Sequence, residues 1–177
     1  MSVKHVLRYL KSTVDYELSF RKCANDLTLI GYSDADWASS TDDRCSTTGY
    51  CFSLTENGPL ISWKSRKQRT IALSSCEAEY MALSATVQES LFLTQLLKDI
   101  NCEDQVASPI IFVDNQGTIA LSKNPINRQR SKHIDVRYHF IRTEINSGKV
   151  VAKYCPTADM IVDIMTKPAT KAKFVKF

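Results

Sequence analysis

The spacing of hydrophobic residues predicts alternating helices and strands along the chain. Aliphatic residues near the start recur at helical intervals, which predicts a short helix over residues 2–12. Four later segments are rich in β-forming residues and predict strands; they are 16–20, 27–34, 47–55 and 60–65. The Asn57-Gly58 pair predicts a tight turn between the last two. The first third of the chain therefore predicts an antiparallel meander.

The rest of the chain predicts helices interleaved with two more strands. Ser74 and Glu77 have capping-box spacing, so we expect a helix from there to about residue 100 that buries Phe92 and Leu96 among others. The later segments are a strand at 109–114, helices over 115–122 and 132–147, the latter capped by Ser131, a strand at 150–155, and a helix capped by Thr157 that carries Asp163. With right-handed crossovers, this order predicts an α/β fold with a mixed five-stranded sheet, an antiparallel meander plus two parallel strands, and helices on both faces.

Composition and charge narrow the class of protein only a little. A chain of 177 residues with 44% hydrophobic and 24% charged residues is typical of one globular domain. The net charge of +4 is compatible with a polyanionic ligand but does not imply one. Six singly spaced cysteines favour reduced thiols in an intracellular protein. We see no signal peptide and no membrane-spanning run, and expect a soluble protein without a membrane partner.

Four acidic residues lie where a metal site can form. Asp34 and Asp114 end predicted strands, and sites in α/β sheets form at the carboxyl ends of strands. Glu79 lies in the first turns of the long helix, and Asp163 lies in the last one. Carboxylates that converge on one sheet edge are suitable ligands for Mg²⁺. Each acid also has a plain structural interpretation, as a turn residue, a helix cap or a solvated charge.

Six short motifs occur along the chain in an order that is specific as a set. They are Tyr32-Ser33-Asp34-Ala35-Asp36-Trp37-Ala38, Ser46-Thr47-Thr48-Gly49-Tyr50, Ser62-Trp63-Lys64-Ser65, Glu77-Ala78-Glu79-Tyr80-Met81-Ala82-Leu83, Val113-Asp114-Asn115-Gln116 and Lys132-His133-Ile134-Asp135. The chain resembles the ribonuclease H domain of copia-type LTR retrotransposon Pol polyproteins. The resemblance implies a ribonuclease H-like fold over residues 27–170, with residues 1–26 as the end of a reverse-transcriptase connection and 171–177 as a tail.

The resemblance also implies an activity, two-metal hydrolysis of the RNA strand of RNA–DNA hybrids. The implied catalytic and metal-binding residues are Asp34, Glu79, Asp114 and Asp163, with two Mg²⁺ ions as cofactor and Mn²⁺ as a substitute. Glu79 is preferred to Glu77 because it matches the family's Glu-x-x-Ala pattern and Glu77 has the capping role. The chain departs from the family in having Val162 before the last acid, where alanine is usual, and no histidine in the loop 155–157.

Basic and polar residues are candidates for contact with nucleic acid. They are Lys64, Arg66, Lys67, Gln68, Asn115, Gln116, Arg128, Arg130, Lys132 and His133. Solvated surface charge is the plain alternative for the basic clusters. The expected partners are an RNA–DNA hybrid and the reverse transcriptase domain of the same polyprotein, and the sequence leaves the oligomeric state open.

Two rival functions share the predicted fold. One is an inactive or domesticated retrotransposon remnant that binds nucleic acid or protein, and the other is a DNA recombinase. The expected location is inside the cell, in a cytoplasmic virus-like particle, with the nucleus as the alternative. Cleavage of hybrid alone, among hybrid, duplex DNA and duplex RNA, distinguishes the enzyme from both rivals.

Overall fold

The computed structural model describes residues 2–21, 27–100, 106–123 and 132–176, and of residues 2, 106 and 132–135 the backbone alone. Its strands are β1 Leu27–Asp36, β2 Thr47–Ser53, β3 Leu60–Lys67, β4 Val106–Val113 and β5 Val151–Tyr154. Its helices are α1 Ser2–Ser12, α2 Ser75–Asp99, α3 Gln116–Lys123, α4 Lys132–Asn146, α5 Asp163–Thr166 and α6 Lys171–Lys176, with a 3-10 turn at Thr157–Asp159. The predicted residues Arg128, Arg130 and Ser131 lie outside the described part, as do the side chains of Lys132 and His133.

The strands form one five-stranded sheet in the order β3-β2-β1-β4-β5. β1 pairs antiparallel with β2, and β2 with β3, whereas β1 and β4, and β4 and β5, are parallel. The predicted mixed sheet is therefore confirmed. Ser33 of β1 pairs with Val113 of β4, so the residues that directly follow, Asp34 and Asp114, lie side by side. The topology thus brings two acids from distant parts of the chain to one sheet edge.

Helices cover both faces of the sheet, as predicted. Tyr50 and Phe52 of β2 pack in the core that contains Tyr80 and other residues of α2. Cys51, which lies between them on the strand, packs instead with residues near α5. Because successive side chains of a strand point to opposite faces, α2 and α5 lie on opposite sides of the sheet. The acids at the end of β1 are therefore within reach of both helices.

Helix α2 begins at the predicted capping box. The Ser74 hydroxyl accepts a hydrogen bond from the Glu77 amide at 3.2 Å, and the Glu77 carboxylate accepts one from the Leu73 amide at 3.0 Å. The predicted burial of Phe92 and Leu96 is wrong: they are 60% and 45% exposed, and Leu93 and Leu97 are buried instead. The first turns of α2 contact the sheet, and the buried face of the helix continues from them at the helical period. Leu93 and Leu97 lie on this face, whereas Phe92 and Leu96 lie beside it.

The predicted strand at residues 16–20 is wrong. This segment is exposed and has no strand partner among the residues that the structure describes. β-forming residues make a strand only where a sheet edge accepts their backbone hydrogen bonds. Tyr16 instead stacks on Phe174 of α6, which also contacts Tyr9 of α1. The two ends of the described chain therefore pack against each other.

The last helix differs from the prediction at its start. Thr157 does not cap a helix that carries Asp163; it begins the 3-10 turn, and Asp163 is the first residue of the separate one-turn helix α5. α5 lies close to the sheet because Gly49 has no side chain, since a Cβ there would be 2.6 Å from Cγ2 of Thr166. No helix in the described ranges has the length and apolar character needed to cross a bilayer.

Candidate active site

Three of the four predicted acids meet at the carboxyl end of β1. Asp34, Glu79 and Asp114 each place a carboxylate oxygen within 4.8 Å of the others. Asp34 and Glu79 are 2% and 6% exposed, and Asp114 is half-buried. β1 and β4 supply the two aspartates, and the first turns of α2 supply the glutamate. The arrangement concentrates negative charge in a corner that is largely closed to water.

Glu79 rather than Glu77 faces this corner. The Ala35 amide of β1 donates a hydrogen bond to the Glu79 carboxylate, whereas the Glu77 carboxylate is taken up by the helix cap. Residues two apart on a helix point about 200° apart, so only one of the two can reach the sheet edge. The interpretation of Glu77 as a cap residue is confirmed by this geometry.

Asp114 is held by Thr157, a residue predicted to have a different role. The Thr157 hydroxyl, predicted to cap a helix, donates a hydrogen bond to Oδ2 of Asp114 at 2.9 Å. The loop reaches this position because the Cys155 amide continues the pairing of β5 with β4, bonding the Val113 carbonyl at 3.0 Å. The sequence does not show whether Thr157 caps a helix or contacts Asp114, because in both cases the residue follows a strand and Pro156.

Asp163 lies beside Asp34 but outside the group of three. It is buried, and its two carboxylate oxygens face lysines: Oδ1 is 3.1 Å from Nζ of Lys167, and Oδ2 contacts Nζ of Lys173. Nζ of Lys167 is also 3.9 Å from Oδ2 of Asp34, to which the Thr166 hydroxyl donates a hydrogen bond. Neither lysine nor this threonine is among the site residues predicted from the sequence. The sequence signal for Thr166 and Lys167 is their spacing, three and four residues after Asp163.

Burial makes two of the acids hold their protons more tightly. Desolvation raises the pKa of Glu79 from 4.5 to about 9, and the charges of Asp34 and Asp114 add to the effect. Desolvation also raises the pKa of Asp34 to about 6, against the opposing influence of the Thr166 hydroxyl and the Lys167 ammonium. Without a bound cation Glu79 therefore keeps its proton near neutral pH. A divalent cation would favour the ionised carboxylates.

The donor set fits a hard divalent cation. Oε2 of Glu79 is buried and has no hydrogen-bond partner in the part of the chain that the structure describes. Buried carboxylate oxygens are normally paired, so an unpartnered one that lies among two other carboxylates is a position for a ligand. Asp34, Glu79 and Asp114 therefore have the chemistry and proximity for one such ion.

The predicted basic residues of β3 line a cleft of about 350 Å³ between this strand and α2. Lys64, Arg66 and Lys67 are joined there by Arg69 and by Arg137 of α4. Lys67 forms an ion pair with Asp43 at 2.8 Å. The remaining four cations have no ion-pair partner among the described residues, so the cleft carries unneutralised positive charge; they are Lys64, Arg66, Arg69 and Arg137.

The three amide residues of the prediction have different surroundings. Gln68 is buried, and its amide nitrogen donates to Oγ1 of Thr48 and to the Ala78 carbonyl, both at 3.0 Å. Asn115 caps α3, accepting a hydrogen bond from the Thr118 amide at 3.0 Å. Gln116 is exposed at the first position of that helix. Asn115 and Gln116 thus lie directly after Asp114, whereas the buried Gln68 lies at the lining of the basic cleft.

No protein-family model matches the chain. Curated relatives include the "Retrovirus-related Pol polyprotein from transposon RE2" of Arabidopsis thaliana, 40% identical over 99% of this chain and 12% of that protein, and the corresponding polyprotein from transposon TNT 1-94 of Nicotiana tabacum, 39% identical over 98% and 13%. A third is the "Secreted RxLR effector protein 161" of Plasmopara viticola, 56% identical over 52% of this chain and 63% of that protein. The chain spans about an eighth of the length of the first two.

Solved structures show the same fold at low sequence identity. The N-terminal RNase H domain of rv2228c from Mycobacterium tuberculosis has a TM-score of 0.57 and is 10% identical, over 85% of this chain and 98% of that one. LC11-RNase H1, solved in complex with an RNA/DNA hybrid, has a TM-score of 0.54 and is 13% identical, over 82% and 99%. The protease-reverse transcriptase of prototype foamy virus has a TM-score of 0.54 and is 10% identical, over 90% and 21%. The chain therefore belongs with the copia-type retrotransposon Pol polyproteins and corresponds to a segment of them that has the ribonuclease H fold.

Proposed function

We propose that this chain is an endoribonuclease that hydrolyses the RNA strand of RNA–DNA hybrids, with Mg²⁺ as cofactor, during retrotransposon replication. The observation that carries the proposal is the convergence of Asp34, Glu79 and Asp114 around an unpartnered, buried carboxylate oxygen. The ribonuclease H fold and the Pol polyprotein relatives support a nuclease of this kind.

The acids are the groups that would hold the cations, with Mn²⁺ as a substitute for Mg²⁺. Asp34, Glu79 and Asp114 would hold the first ion, and Asp163 would hold a second together with Asp34 after giving up its lysine partners. Two bound ions would supply an activated water and stabilise the leaving oxygen of the scissile phosphate. The protein itself would supply no nucleophile: its carboxylates would hold the ions, and the Thr157 hydroxyl fixes the rotamer of Asp114. Burial of the acids excludes competing water from the corner.

The basic cleft would bind the sugar-phosphate backbone of the substrate. Its four unpaired cations come from β3, from the segment before α2 and from α4, and so they meet only in the folded chain. Neutralising phosphates with such groups releases counterions and makes binding depend on salt. Asn115 and Gln116, beside Asp114, are our candidates for the contact with the RNA 2′-hydroxyl. The complex of LC11-RNase H1 with an RNA/DNA hybrid supports this substrate class.

The wider setting of the proposal comes from the relatives. We infer that the chain acts next to the reverse transcriptase domain of its polyprotein, with residues 1–26 as the connection, residues 27–170 as the nuclease domain and residues 171–177 as a tail. The polyprotein relatives and the foamy virus protease-reverse transcriptase support this arrangement. We place the activity inside the cell, in a cytoplasmic virus-like particle, with the nucleus as the alternative.

A cleavage assay with three substrates tests the proposal. Labelled RNA–DNA hybrid, duplex DNA and duplex RNA are incubated with the protein in Mg²⁺, in Mn²⁺ and in EDTA. We expect cleavage of the RNA strand of the hybrid alone, dependent on the cation and abolished by Asp114→Asn. Asp99→Asn, the same substitution at an exposed position near the end of α2, is the matched control and should leave cleavage unchanged.

The other outcomes identify the rival functions. Binding of hybrid without cleavage in any cation indicates a remnant that has lost the reaction, and strand transfer on duplex DNA indicates a recombinase.

The role of the basic cleft is tested separately by its salt dependence. Arg137→Ala should reduce the slope of log affinity against log salt by about 1 if this residue contacts a phosphate. An unchanged slope removes Arg137 from the binding surface without affecting the assignment of the acids.

A further inference from the structure

Gln68 is a buried polar side chain that connects three parts of the fold beside the acid cluster. It is 8% exposed, and its amide nitrogen donates to Oγ1 of Thr48 on β2 and to the carbonyl of Ala78 in α2. Its backbone amide continues the pairing of β3 with β2 by bonding the Ser46 carbonyl at 2.8 Å. Both the side chain and the backbone of Gln68 are therefore held in place.

The orientation of the amide is determined by its partners. The Ala78 carbonyl only accepts hydrogen bonds, so the atom that faces it has to be the nitrogen of Gln68. The amide oxygen is then left buried, without a hydrogen-bond partner among the described residues. A buried unpartnered acceptor lowers the stability of a fold. The side chain thus makes two hydrogen bonds through its nitrogen, while its oxygen makes none among the described residues.

An apolar side chain of similar size would serve stability at least as well. The Ala78 carbonyl lies within α2, where the amide four residues later satisfies it. Loss of the Gln68 contact would therefore leave this carbonyl paired. Methionine at position 68 would also remove the unpartnered oxygen. Stability alone does not account for a glutamine here.

The contacts of Gln68 run parallel to the contact that orients Glu79. Ala78 directly precedes Glu79, and Thr48 pairs with Ala35 in the register of β1 and β2. Ala35 in turn donates its amide hydrogen to the Glu79 carboxylate. The start of α2 is thus connected to the sheet at two adjacent points, one through Gln68 and one through Glu79 itself.

We propose that Gln68 is a positioning residue for cation binding: it holds the first turn of α2 against β2 and so sets where the Glu79 carboxylate lies relative to Asp34. The inference rests on the proposed function, because it requires that Glu79 is a ligand. Mg²⁺ demands near-ideal octahedral geometry, whereas Ca²⁺ accepts a flexible set of six to eight oxygens. A displaced but intact ligand therefore weakens the binding of Mg²⁺ much more than that of Ca²⁺.

The test compares Gln68→Met with the natural chain by calorimetric titration with Mg²⁺ and with Ca²⁺, and by urea denaturation in EDTA. We expect the Mg²⁺ affinity to fall on the order of tenfold, as for other groups that support a metal ligand. The Ca²⁺ affinity should change by less than about threefold, since that ion tolerates the displacement. The urea midpoint should stay the same or rise. Gln88→Met, the same change at an exposed position of α2, should alter none of these values.

Each outcome decides the matter. Equal losses for both cations, or unchanged affinity for both, overturn the positioning role while the natural chain's own Mg²⁺ binding upholds the proposed function. A natural chain that binds neither cation overturns both proposals. If Gln68→Met does not fold, its stability argument is wrong, and Thr48→Val, which removes one acceptor of the Gln68 amide, tests the positioning role alone by the same ratio of affinities.

Discussion

Replacing Glu79 with glutamine removes a charge that the folded chain holds poorly without a cation. The pKa of this carboxyl is about 9 in the folded chain, against an ordinary value of 4.5. Below the ordinary value both states are protonated, and the group has no effect on stability. Above it the unfolded chain loses the proton while the folded chain keeps it, so the free energy of unfolding decreases as pH rises, until the folded pKa is passed.

The size of the effect follows from this difference in proton binding. One pKa unit corresponds to about 1.4 kcal/mol, so between pH 6 and pH 8 the cation-free protein should lose about 2 to 3 kcal/mol of stability through Glu79. The Glu79→Gln variant lacks this loss and keeps an acceptor for the Ala35 amide. At pH 7 it should be more stable than the natural chain by about 3 kcal/mol in EDTA.

Urea denaturation in EDTA at pH 6, 7 and 8 measures the difference. Glu77→Gln is the matched control, because it changes a glutamate two residues away and leaves an oxygen for the Leu73 amide. Its stability should follow the pH dependence of the natural chain. With excess Mg²⁺ the order of stabilities should reverse, because only the ionised Glu79 gains from the cation. Parallel curves for Glu79→Gln and the natural chain in EDTA would refute the reasoning about the buried carboxyl.

Two further predictions concern α5 and α6. Gly49→Ala places a methyl group 2.6 Å from Cγ2 of Thr166. Because overpacked cores are destabilised, the variant should lose about 1 to 3 kcal/mol of stability. An unchanged urea midpoint would contradict this packing. Lys173→Met removes one of the two ammonium groups that contact Asp163. We expect a lower melting temperature in EDTA and tighter Mg²⁺ binding. Unchanged Mg²⁺ affinity would show that this lysine does not compete with the cation.

The sequence determined the parts of this protein that depend on local pattern. Alternation and turn chemistry located the meander, the capping box located the start of α2, and strand ends located Asp34 and Asp114. These features are encoded within a few neighbouring residues, because strand pleat and helix capping are local. The choice of Glu79 over Glu77 followed from the resemblance to the family's Glu-x-x-Ala pattern and agreed with the capping role of Glu77. Residues 16–20 show its limit, since their β-forming side chains have no sheet edge in the described structure.

Only the tertiary structure decided what surrounds the acids. The Thr166 hydroxyl reaches Asp34 across 132 positions of the chain, and Arg137 joins the cleft of β3 from a different helix. Burial raises the pKa of Glu79, and burial is a property of the packed molecule rather than of any segment. Such contacts arise when crossovers bring distant elements together, and no local pattern records them. The lysines beside Asp163 belong to the same class, because their chemistry is visible in the sequence but their neighbours are not.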